Sequence, residues 1–150
     1  MFNPIFTPYQ MLELGVFDGT YFKGNYKDFN QSVTVAPENL FMENASQSMD
    51  VWIKNGWITP EDPLGWYQWY TRYYHGRRIA DLDKWQMNRW KSFTARHTGQ
   101  VLKNGEGDMN VRRKQRQALL HWGADPIPDI QDVGDKFNFL MEYKNQLTYC

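Results

Sequence analysis

The chain has 150 residues, 41% hydrophobic and 17% aromatic, enough for one domain that buries roughly 70% of its unfolded surface, so disorder over the bulk of it is not expected. Its 17 Lys and Arg balance 17 Asp and Glu, but unevenly: Met1–Tyr70 carries three basic and eight acidic residues, Thr71–Trp122 twelve and four, Gly123–Cys150 two and five. No apolar run approaches the roughly 20 residues of a membrane helix, and the lone cysteine, Cys150, excludes an internal disulfide and suits a reducing compartment.

Met-Phe-Asn-Pro at the amino terminus lacks the charged start and apolar run of a secretory signal, so an intracellular protein, cytoplasmic or nuclear, is expected. Thr7-Pro8 then reads as a helix start, an N-cap hydroxyl followed by proline in the first turn. Met11, Leu12 and Leu14 supply contacts and Gly15 the stop. Val16 to Asn44 shows little helical periodicity and is punctuated by Gly19, Gly24 and Pro37. A long irregular wrap is expected there, with a short strand signal at Ser32–Ala36.

A second helix is expected from Ser46 to Lys54, with Met49, Trp52 and Ile53 inward. A third opens at Asp62-Pro63 and runs to His75, and a fourth runs from Asp81 to His97 with Gly99 beyond it. Gly105 and Gly107 mark a loop, Asn110 is placed to cap a fifth helix over Val111–Trp122, and Asp125–Asp135 is a linker. The last helix spans Lys136–Leu147.

The third helix holds six aromatics in the ten positions from Gly65 to Tyr74. Aromatics on most faces mean a helix surrounded by protein, its tyrosine hydroxyls reaching surface partners; the functional alternative is a stacking platform for bases or sugars. Packing is the preferred reading. On the fifth helix Val111, Gln115, Ala118, Leu119 and Trp122 form an inner face, which turns Arg112, Arg113, Arg116 and Gln117 outward. With Arg77, Arg78, Lys91 and Arg96 from the preceding helices they form a candidate surface for nucleic-acid phosphates. The alternatives are a solvated face, or ion pairs to Asp129, Asp132 and Asp135 just downstream.

Catalytic motifs are absent. His75, His97 and His121 lack metal-ligand spacing, and His97 and His121 fall where a helix carboxyl end favours a cation, so capping accounts for them. Glu61-Asp62 and Asp81…Asp83 sit where helix starts favour acids. A helix-turn-helix can be drawn twice, but one recognition helix would begin with two acids and the other has too long a connection.

Several segments together resemble an uncharacterised family found in bacteria, fungi, algae and large DNA viruses or phages. They are Thr7-Pro8-Tyr9-Gln10-Met11-Leu12-Glu13-Leu14-Gly15-Val16-Phe17, Pro60-Glu61-Asp62-Pro63-Leu64-Gly65-Trp66-Tyr67-Gln68-Trp69-Tyr70, Arg89-Trp90-Lys91-Ser92-Phe93 and Lys114-Gln115-Arg116-Gln117-Ala118-Leu119-Leu120-His121-Trp122. The family has no established activity, so the resemblance implies kinship and a raised chance of viral origin, and it carries over no catalytic residue.

The expectation is therefore a mostly α-helical protein, one compact domain (1–150) of about six helices with a long irregular amino-terminal segment. Residues 7–122 form its family-like core, 123–150 an acidic linker and helix, and its seven tryptophans most of the core. The expected function is a non-enzymatic module binding DNA or RNA through Arg112, Arg113, Arg116, Gln117, Arg96, Lys91, Arg77 and Arg78. The alternative is a structural or assembly protein, virion-associated, that docks on a protein partner or its own copy through exposed aromatics and Met. An enzyme with a cleft near His75 or His97 ranks third. No metal, cofactor or membrane association is expected.

Overall fold

The computed structural model describes residues 2–148; Met1, Tyr149 and Cys150, with its thiol, lie outside them. The fold is mostly α: α1 Pro8–Glu13, a tight turn Val16–Gly19, α2 Met49–Lys54, α3 Trp66–Tyr74, α4 Ala80–Asn104, α5 Arg113–His121 and α6 Lys136–Thr148. Among the described residues there is no strand, and no helix is long and apolar enough to cross a membrane.

The start of α1 follows directly from its sequence. Thr7 Oγ1 accepts the Gln10 N–H at 3.1 Å, and Gln10 Oε1 accepts the Thr7 N–H at 3.0 Å, a reciprocal capping box with Pro8 in the first turn. Thr7→Ala is expected to cost about 1 kcal/mol in denaturant midpoint analysis; an unchanged midpoint would mean that the cap contributes nothing. Gly15 then reverses the chain at φ 79°, where a Cβ would run into the Glu38 carbonyl. Residues 20–48 form turns and bends anchored by Phe22, Phe29, Leu40 and Phe41, all buried. The strand expected at Ser32–Ala36 does not form. Its Ala36 N–H donates instead to Leu12 O at 3.0 Å, and a lone five-residue run with no partner strand has no ladder to join.

The third helix begins at Trp66 rather than Pro63, because Asp62 is drawn into ion pairs with Arg72 and Arg77 and Gly65 redirects the chain at φ 105°. Trp66 to Thr71 are all buried. The Tyr67 and Tyr70 hydroxyls end on the buried carbonyls of Pro8 and Phe6, each at 2.7 Å, not on surface partners, and so tie α3 to the amino-terminal segment. Trp69 Nε1–H donates to Asp83 Oδ1 at 2.8 Å, while Asp83 Oδ2 accepts the Ile79 N–H at 2.8 Å and caps α4.

Gly99 does not end α4. A mid-helix glycine costs only about 1 kcal/mol, and the turn beyond it brings Val101 into the core, so the helix continues to Asn104. His97 is therefore interior to α4 and caps nothing. The fifth helix starts at Arg113 instead of Val111: Arg112 takes a left-handed φ of 59°, and Asn110 Oδ1 accepts from the Arg113 guanidinium instead of capping the helix. It packs along α4, with Leu119 and Leu120 fully buried, while Leu140 seats α6. Ile53, expected inward, is 59% exposed.

Tryptophan is divided in a way the composition did not show. Trp66, Trp69 and Trp90 are buried, but Trp52, Trp57, Trp85 and Trp122 are only half-buried. Those four share a surface.

Candidate functional site

The half-buried tryptophans face a cleft of about 1180 Å³ between α4 and α5, closed at its sides by Trp52 of α2, the Trp57-Ile58 loop, the start of α3 and the 43–47 loop. Its α4 wall is a regular stripe, Trp85, Arg89, Ser92, Phe93, Arg96 and His97, covering about 18 Å at 1.5 Å per residue. Opposite stand Lys114, Gln115, Ala118, His121 and Trp122 around α5. Phe17 is held from below in a backbone conformation (φ 54°, ψ 30°) that bulky residues rarely take. Its ring packs 4.1 Å from the His121 ring and stacks on Tyr67 at 6.0 Å. Both Phe17 and Arg112 spend left-handed backbone strain at the cleft, where such strain commonly marks function.

Charge around the cleft is one-sided. Arg89, Arg96, Arg112, Arg113 and Lys114 line it against a single carboxylate, Glu43, and none of the five forms an ion pair among the described residues. Arg89 is the unusual one. It is half-buried, with its guanidinium carbon 4.7 Å from the Trp85 ring centre and 5.6 Å from those of Trp57 and Trp122. Its one hydrogen bond goes to Gln86 Oε1 at 2.8 Å, and burial lowers its pKa to about 10.

The walls also hold unsatisfied polar groups. Six buried side-chain polar atoms lack a hydrogen-bond partner among the described residues, and four of them, Trp66 Nε1, His97 Nδ1, Gln115 Oε1 and His121 Nδ1, belong to residues of this cleft. Each such group costs about 1–3 kcal/mol in the folded state, and the walls of this cleft hold most of the unsatisfied polar groups found among the described residues. His121 does not cap α5. Its Nε2 lies 3.4 Å from the Phe17 N and 3.3 Å from Asn39 Oδ1, Nδ1 is free in either tautomer, and burial holds the ring neutral with a pKa of about 3.

The eight basic and amide positions expected to form one outward face separate into four groups. Arg96, Arg112 and Arg113 reach the cleft; Lys91 is exposed on α4 outside the lining. Arg77 is held by Asp62 at 2.6 and 2.8 Å, and Arg78 lies over the Tyr73 ring at 3.6 Å, donating to the Tyr73 and Arg77 carbonyls. Arg116 and Gln117, expected outward, are completely buried. The reason is enclosure: Arg116 to His121 are all buried, so the side of α5 expected to meet solvent is covered by distant segments, where Arg116 meets Asp129 at 2.7 and 2.8 Å and Gln117 Oε1 accepts the Phe41 N–H at 2.9 Å. The acidic flanks thus neutralise Arg72, Arg77 and Arg116 and, among the described residues, leave the cleft cations without an ion pair.

Arg89, Trp66, His121 and Phe17 were absent from the expected set. The α4 stripe was the available signal: Trp85, Arg89, Ser92, Phe93 and Arg96 recur at three and four residues, a face no less regular than an apolar core stripe. No family model, curated protein or solved structure matches the chain.

Proposed function

We propose that the protein binds single-stranded nucleic acid in the cleft between α4 and α5. The observation that carries this reading is the combination of half-buried tryptophans with five cations that form no ion pair among the described residues, all on one concave surface. Single strands are held by base stacking on aromatic faces, about 1–3 kcal/mol per base, together with cations that follow the phosphates. Duplex DNA, with its bases already stacked, could use only the cations. Docking on a protein partner through exposed apolar side chains has less support, since Ile5, Met42, Ile53, Tyr74, Leu102 and Leu147 come from six separate segments.

Fluorescence anisotropy with labelled oligothymidylate, oligouridylate and a duplex of equal length tests the reading. Single strands are expected to bind more tightly, with affinity falling as salt rises. The variant Arg96→Gln/Arg112→Asn/Lys114→Ala removes three exposed cations, and asparagine tolerates the left-handed backbone at 112. It should flatten the slope of log K against log salt by about 2, at roughly 0.7 for each phosphate no longer neutralised. No binding at low salt, or a slope unaltered in the variant, overturns the proposal.

A further inference from the structure

We infer that Arg89 and the tryptophans around it form a discrete nucleotide subsite within the cleft, the guanidinium holding one phosphate while an adjacent indole stacks on the base. The inference rests on the reading of the cleft as a nucleic-acid site and assigns its anchoring group.

Three observations converge on Arg89. Its environment is apolar and aromatic, with Trp57, Trp85 and Trp122 all within 5.6 Å of the guanidinium carbon. Among the described residues it has no carboxylate partner, whereas the half-buried Arg72 and Arg77 and the fully buried Arg116 each have one or two. A guanidinium carries five N–H donors, and Arg89 directs only Nη1 to a protein acceptor, Gln86 Oε1. None of its nitrogens is both buried and unpartnered, so the remaining N–H groups open on the cleft. A partly desolvated cation with free donors in a fork matches a tetrahedral oxyanion taken up by two parallel hydrogen bonds.

Chemistry then separates the ligand classes. An inorganic anion would satisfy the guanidinium and leave the indoles bare; an uncharged nucleoside would cover an indole and leave the cation unpaired. A nucleoside phosphate does both. Arg96, seven residues further along the same face, lies about 10 Å away along the helix axis, and with Arg112 and Lys114 it would follow the strand leaving this anchor. Arg96, Arg112 and Lys114 are exposed, so screening weakens them while Arg89 keeps its strength.

Tryptophan fluorescence of the full chain, titrated with adenosine 5′-monophosphate, adenosine and inorganic phosphate, tests the subsite. The monophosphate should quench and bind at least about tenfold more tightly than either of the others. Arg89→Met, which keeps an apolar stem of similar length, should reduce the preference over adenosine to less than about twofold, and Arg89→Lys should retain part of it. Equal binding of adenosine and its monophosphate to the wild type overturns the inference without recourse to any variant. So does phosphate binding as tightly as the nucleotide, or an Arg89→Met variant that behaves as wild type. The oligonucleotide measurement separates the two readings. Oligonucleotide binding without monophosphate binding removes the subsite and leaves the cleft reading intact. Monophosphate binding that depends on Arg89, without oligonucleotide binding, supports the subsite and removes the single-strand reading.

Discussion

Arg116→Met should lower stability by about 3–5 kcal/mol, the cost of breaking a buried ion pair, and reduce the melting temperature by roughly 10 °C at the two to four degrees per kcal/mol of a chain this size. Arg116 is completely buried, and all three of its guanidinium nitrogens donate. Nε meets Val111 O at 2.8 Å. Nη1 meets Pro126 O and Asp129 Oδ1 at 3.1 and 2.7 Å, and Nη2 meets Gly105 O, Asp108 O and Asp129 Oδ2 at 3.2, 3.0 and 2.8 Å. One side chain therefore ties the α4–α5 loop to the segment after α5, and this hydrogen bonding holds the Asp129 carboxyl below its ordinary value. Methionine would leave the Val111 and Pro126 carbonyls without their donor and the Asp129 carboxylate without its cation, while the Gly105 and Asp108 carbonyls would keep only their turn hydrogen bonds from the Asp108 and Val111 N–H groups. Lysine, with three donors in place of five, should recover only a minor part of the loss. Thermal and urea unfolding followed by circular dichroism give the comparison. A Met variant within about 1 kcal/mol of wild type would mean that these loops are held by other interactions.

Acidification is expected to destabilise the fold well before its carboxylates titrate. His121 is buried without charge, its pKa moved from the ordinary 6.5 to about 3 by desolvation, and desolvation with the nearby Arg96 charge moves His97 the same way. The unfolded chain binds protons between pH 6.5 and 3 that the folded chain refuses. The stability due to neutral His121 is thus complete above pH 6.5 and is lost progressively as pH falls toward 3. At pH 4.5, two units below the unfolded value, the loss is about 2–3 kcal/mol. Asp129, with its pKa lowered chiefly by hydrogen bonding to Arg116, adds a second loss, again on the acid side and at lower pH. His121→Gln removes the larger titration, so its urea midpoint should fall much less between pH 7 and 4.5, with His97 leaving a smaller residual slope. Parallel curves for variant and wild type would sink this account.

Local chemistry made much of the helical skeleton legible. Thr7-Pro8 with Gln10, the aromatic run of α3 and the stripe from Leu82 to Phe93 each announce a helix through capping or a 3.6-residue repeat, properties of neighbours in the chain. Boundaries failed where a distant partner competed for the same residue. Asp62 reads as a cap but pairs with Arg72 and Arg77, and Gly99 reads as a stop but is carried through by the burial of Val101. Enclosure decided the site. Distant segments at Phe41 and Asp129 cover the outer side of α5 and bury Arg116 and Gln117, while Arg112, Arg113 and Lys114 at its start remain at the cleft.

By itself, the sequence determined that the protein is helical, aromatic-rich and basic in its middle third, because composition and periodicity are local quantities that survive any arrangement of the helices. Only the tertiary structure decided which cations are neutralised by the acidic flanks and which tryptophans face a cleft rather than the core. An ion pair or a cleft wall joins residues tens of positions apart, such as Arg72 with Asp28 or Trp57 with Arg89, and spacing along the chain carries no record of those meetings.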